Sequence, residues 1–179
     1  MADMLPLRTL QQAITDKLKG DPWFNGIPVI TEKLGDIATL VDISVGKLGS
    51  CVVVETPSAN VLRANVPPIN FDSVPIAITV WENVILNHSS TGTGKYALDT
   101  AQIVAFLIHQ FIPLIDGQSW NIITAVTPTI VKSEDPDLNG YHVFFTTSVG
   151  FTYAPTGALS TETNEQLLTE AGATLITES

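Results

Sequence analysis

The chain has 179 residues, 45% of them apolar, which suits one domain with a sizeable core and argues against global disorder. Its net charge is −10 and its pI about 4.4. That argues against gripping a nucleic-acid backbone, which needs clustered Lys and Arg. The single cysteine, Cys51, excludes an intramolecular disulfide and sits in the apolar run Cys51-Val-Val-Val as a small core hydrophobe.

The first residues, Met1-Ala-Asp-Met-Leu-Pro6, lack the basic and apolar regions of a signal peptide. No apolar run is long enough to span a bilayer. With the unpaired cysteine, this predicts synthesis in a reducing cytoplasm. Leu7, Leu10, Ile14 and Leu18 recur at helical spacing between Pro6 and Gly20, so residues 6–19 read as an amphipathic helix. Residues 27–31 read as a short strand, with Pro28 at its start or on an edge. Asp36 reads as an N-cap for a helix that ends at Gly49, its stripe formed by Ile37, Leu40, Val41, Ser44, Val45 and Leu48.

Residues 50–55 form a β-branched strand closed by Pro57, and residues 57–74 read as a loop. Residues 75–86 read as one strand, with Glu82 among Ile76, Ile78, Val80, Val84 and Leu86 on its apolar face. The Gly/Ser/Thr-rich segment Asn87–Lys95 reads as a flexible loop. A helix buried on nearly every side follows to about Phe111, ended or kinked by Pro113. Residues 120–132 read as a strand that Pro128 confines to an edge or a bulge. A hairpin turn follows, with Asn139-Gly140 at its tip.

The last strand alternates strictly: Tyr141, Val143, Phe145, Thr147, Val149, Phe151 and Tyr153 share one face. Residues 156–179 form an acidic extension with little core of its own, anchored only by Leu159, Leu167, Leu168, Leu175 and Ile176. Seven of the acids fall after Lys132, the last basic residue. The expected organisation is an α+β domain over residues 1–155, with a mainly antiparallel sheet and helices on one face, plus the extension.

Candidate chemistry is sparse. Thr91-Gly-Thr-Gly-Lys95 lies between a strand and a helix, as a phosphate loop would. Position 89 is Ser where the pattern needs Gly, and position 96 is Tyr where it needs Ser or Thr. Asp135-Pro-Asp-Leu-Asn-Gly140 matches half of a calcium loop, but position 146 is Thr where the bidentate Glu belongs. His88, His109 and His142 have no ligand partner at metal-site spacing, and His109 reads as a core or interface residue. No catalytic residue, metal or cofactor is expected. A carboxylate on an apolar face needs a partner, so Glu82 reads as an ion pair with Arg63 or Lys47, or as a subunit contact.

The succession of the 7–19 helix, Ile27-Pro-Val-Ile30, Cys51-Val-Val-Val-Glu-Thr-Pro57, Ile76-Ala-Ile-Thr-Val-Trp-Glu82, the 98–111 helix and Asp137-Leu-Asn-Gly-Tyr-His-Val-Phe-Phe145 resembles the tail-terminator (tail-completion) proteins of long-tailed bacteriophages and their minor-tail relatives. The resemblance covers roughly residues 5–153. It implies a structural virion protein of the tail and neck, made in the host bacterium. Such a subunit forms a hexameric ring on the last ring of the tail tube, stops its growth and docks the head connector. It also implies as partners the chain itself, the tube protein and the connector, with DNA passing through an acidic lumen without specific binding. Candidate assembly contacts are Glu82, Thr91 and Lys95 at the loop, and Leu167, Leu168, Leu175 and Ile176 in the extension. A head–neck connector, a tube subunit or a non-viral binding module remain open at this point.

Overall fold

The structure is a computed structural model, and it describes residues 6–32, 37–58, 69–115, 118–119, 122–132 and 138–151. In chain order these form α1 (Pro6–Lys19), a 3-10 turn (Pro22–Phe24), β1 (Val29–Thr31), α2 (Ile37–Leu48), β2 (Ser50–Val54) and β3 (Ile69–Glu82). There follow α3 (Val84–Asn87), α4 (Ala97–Ile108), β4 (Leu114–Ile115), β5 (Gln118–Ser119), β6 (Thr124–Lys132) and β7 (Asn139–Phe151). Five strands make one sheet in the order β1-β2-β3-β7-β6, and β4 and β5 pair as a small ribbon. Only β1 and β2 run parallel, joined through α2; the other pairings in the sheet are antiparallel. The fold is therefore α+β, as the element order predicts.

Period-2 patterning decides which side of each strand is dry. Val52, Val54, Ile76, Ile78, Val80, Val143 and Phe145 form one cluster with Leu10, Ile14 and Leu18 of α1 and with Ala101, Val104 and Ile108 of α4. The intervening β2 residues, Cys51 and Val53, face the other way and pack on Val45 of α2, with Trp81 alongside. Helices thus cover both sides of the sheet, where the sequence pattern suggested one. That is why all five residues of β2 are buried. Burial pushes the Cys51 thiol up to about 12, so it stays protonated at neutral pH. Each fully buried Leu or Ile of α1 contributes about 1.5–3 kcal/mol by leaving water.

Several boundaries differ from the sequence pattern. Strand β3 begins at Ile69 inside the expected loop, pairing with Phe151, and a register shift between Phe71 and Val74 hides it from a period-2 reading. It ends at Glu82, where Asn83 accepts a hydrogen bond from Leu86 N at 3.2 Å and caps the α3 turn. Asn139 and Gly140 are not the tip of the hairpin; they extend β7 opposite Glu82 and Trp81. β6 is an edge strand, and its register breaks between Ala125 and Ile130, around Pro128, as expected.

Helix α4 stops at Ile108, well before Pro113. Gln110 takes a positive φ of 63°, its N–H bonds Ile123 O at 2.8 Å, and Ile123 N–H bonds Phe111 O at 2.9 Å. This pairing draws the chain out of the helix and leaves His109 at an exposed C-cap, not in the core. Nor is α4 buried on every side. Ala97, Thr100, Ala101, Val104 and Ile108 face the sheet, while Phe106 is 80% exposed.

Phe145 is fully buried and Phe106 is not, so their truncations should separate. Phe145→Ala should cost about 3–5 kcal/mol, whereas Phe106→Ala should cost well under ~1 kcal/mol, both read by urea unfolding. Similar costs at the two positions would contradict this assignment of faces.

Candidate functional site

A dense polar cluster lies where β3 runs out. Glu82 ends that strand 3% exposed, on the side that α1 and α4 cover. Its Oε1 accepts from Asn87 Nδ2 at 2.6 Å and has His88 Nε2 at 3.3 Å. Its Oε2 accepts from Ala97 N–H at 3.0 Å, the first amide of α4. A carboxylate at a helix N-terminus also meets the positive end of the helix dipole. The expected ion pair with Lys47 is absent, and Arg63 lies outside the described residues.

Asn87 is fully buried and makes the rest of the latch. Its Nδ2 also donates to Lys95 O at 2.7 Å, and its Oδ1 accepts from Thr93 Oγ1 at 2.6 Å. Its backbone O accepts from Gly94 N–H at 2.9 Å. Thr93 Oγ1 lies 3.3 Å from Ser50 Oγ on β2. Two glycines let the chain close this tightly. A Cβ at Gly49, which has φ +77°, would stand 2.2 Å from Asn87 N, and one at Gly92 would stand 2.1 Å from Asn87 O. The segment 87–95 is therefore bound down by hydrogen bonds, not the free loop its composition suggests.

The same geometry disposes of the phosphate-loop resemblance. Lys95 Nζ turns to the backbone oxygens of Trp23 and Asn25 and lies over the Trp23 ring, 5.4 Å from its centroid. The amides of Gly92 and Gly94 are spent on Ser89 O and Asn87 O. Neither the lysine nor these two amides are left to cradle an anion. On the opposite side of the sheet, Thr79 Oγ1 donates to Glu55 Oε1 at 2.5 Å and lies 2.8 Å from His142 Nδ1. A hydroxyl that gives its proton to a carboxylate is not primed as a nucleophile by the histidine beside it. Among the described residues, no group of three His, Cys, Asp or Glu could hold a metal ion, and no helix is long and apolar enough to cross a membrane.

Of the residues singled out from sequence, Glu82 and Lys95 meet through Asn87, while Thr91 sits exposed near Ser89 at the loop tip. Leu167, Leu168, Leu175 and Ile176, the first three residues of the half calcium motif at 135–140 and the extension as a whole lie outside the described residues. Asn87, Thr93 and Ser50 escaped the sequence reading. The one available signal was a second Asn four residues after Asn83, just beyond a carboxylate on an apolar strand.

No family model and no curated protein matches the sequence. Among solved structures, the fold is similar to a chain from the virion of a native gene transfer agent particle. The match has a TM-score of 0.56 and 12% identity, and it covers 83% of this chain and 100% of that one. A second solved chain, at 14% identity with 82% of this chain and 94% of that one covered, has a TM-score of 0.46. At such identities the likeness is one of fold.

Glu82 accepts from Asn87 Nδ2 on one oxygen and from Ala97 N–H on the other, and a glutamine there offers only one carbonyl oxygen, turning its NH2 toward one of these donors. Glu82→Gln should cost about 1–3 kcal/mol, and Asn87→Ala more, because it strands several buried polar atoms. Thr91→Ala, at the exposed tip, should fall within about 0.5 kcal/mol of the parent. Urea unfolding reads all three; a neutral Asn87→Ala would mean the latch does not hold the loop.

Proposed function

We propose that this chain is a structural virion protein: a ring-forming tail-terminator (tail-completion) subunit of a long-tailed phage or phage-derived particle. The observation that carries the proposal is the shared fold, which spans the whole of the gene-transfer-agent virion chain. The sequence resemblance to tail terminators points the same way. So does a surface with large exposed apolar side chains, among them Ile85 and Phe106, which suits a protein that works among copies of itself.

In this reading residues 1–155 form the ring subunit and six copies close the ring. The ring sits on the last tube ring, ends tube growth and receives the head connector. Its net charge of −10 lets DNA pass the lumen without being held, because few cations are present to neutralise phosphates. The role is mechanical and requires no catalysis, metal or nucleotide. The extension, with Leu167, Leu168, Leu175 and Ile176 among its acids, engages the adjoining ring.

Particles assembled without this chain distinguish the roles by electron microscopy. A terminator's loss should leave tail tubes of uncontrolled length, detached from heads. Absence of any tube would mark a tube subunit instead, and normal tailed particles would contradict a virion role altogether.

A further inference from the structure

We propose that copies of this chain join head to tail through two different helical faces: the outer face of α4 on one copy packs antiparallel against the outer stripe of α2, beside α3, on the next. The pairing rests on the ring assembly proposed above and names the surfaces that build it.

The exposed large apolar side chains include two sets on opposite sides of the sheet. One lies on α4, whose inner face packs with α1 over the main core; Leu98 and Phe106 point outward there. The other lies on α2, which packs on the reverse side against Cys51 and Val53. Leu40 and Ile43 are about half exposed on that helix, and Ile85 of α3 is 84% exposed. Gly49 brings α3 against the C-terminal end of α2. A two-fold dimer would cover one set on both copies and leave the other set in water. A head-to-tail contact covers both at once, and repeated by rotation it closes a ring.

The polar residues on the two faces are complementary and match in spacing. On α2, Leu40, Ile43 and Lys47 fall at i, i+3 and i+7, one stripe of a helix. On α4, Asp99, Gln102 and Phe106 do the same, with Leu98 on the flank. The cation stands in the last turn of α2 and the anion in the first turn of α4. Antiparallel packing sets Lys47 beside Asp99 and, about 10.5 Å along the axis, Leu40 beside Phe106. Ile43 then meets the middle of α4. It also opposes the two helix dipoles favourably. Asp42, the other charge near this stripe, lies on the far flank of α2, away from Leu40 and Lys47.

A mixing experiment on the full-length protein tests the pairing. Phe106→Asp spoils one face and Ile43→Asp the other; both side chains are exposed enough for the fold to survive, as circular dichroism would verify. By sedimentation equilibrium the parent should form a closed oligomer larger than a dimer, and each variant alone should be monomeric. An equimolar mixture should give a 1:1 dimer and nothing larger, because one good face remains on each partner. Lys47→Glu and Asp99→Lys should each weaken assembly and together restore it. A mixture that stays monomeric, or variants that assemble like the parent, would overturn the pairing while leaving ring formation intact. A parent that is monomeric at every concentration would contradict the ring itself. Deleting residues 158–179 should leave the oligomer unchanged; its loss would assign the contact to the extension and overturn the pairing.

Discussion

A buried carboxylate holds the join between the sheet and the segment that links α3 to α4. Glu82 is taken out of water, a costly step for a charge unless polar partners replace the lost solvation. Here the replacement comes from the Asn87 amide, the first N–H of α4 and His88. Because those three partners lie on α3, the loop and α4, one side chain fixes where all of them begin relative to β3. Among the described residues no buried side-chain nitrogen or oxygen lacks a partner, so the cluster closes on itself. A network this complete acts as a rigid corner, since any one deletion leaves several groups stranded.

The corner has a consequence for the outer surface. With its first turn held by Glu82 and its inner face set in the main core, α4 has no freedom to rotate and hide Phe106. The apolar stripe is left in solvent by construction. The same holds on the other side, where α3 is clamped beside Gly49 and presents Ile85. A monomer that remained a monomer would gain nothing from two such faces. A subunit built to be packed between neighbours needs them, and this links the internal latch to the proposed role in a virion ring.

Much of this was legible in the residues. The spans of α1 and α2 follow the 3.6-residue recurrence of Leu10, Ile14 and Leu18, and of Ile37, Val41 and Val45, each closed by a glycine. The edge position of β6 follows from Pro128. What escaped has physical causes. Hydropathy records that Phe106 avoids water but not whether it does so in a core or against a neighbour, so α4 read as buried all round. The strand and helix patterns of Val80 to Leu86 are both satisfied by the same residues, and only the Asn83 cap decides between them. The latch is non-local chemistry: Ser50, Glu82, Asn87, Thr93 and Ala97 come together only after β2 and β3 pair and Gly49 and Gly92 allow close approach. Composition alone therefore painted the 87–95 segment as free.

The central claim is that Glu82 pins the start of α4, and hydrogen exchange of the Ala97 amide tests it most directly. First-turn amides of a helix ordinarily exchange fast, having no intrahelical acceptor. Bonded to a buried carboxylate, the Ala97 N–H should exchange as slowly as the core amides of β3 and lose that protection in Glu82→Gln. Fast exchange of Ala97 in the parent protein would contradict the claim.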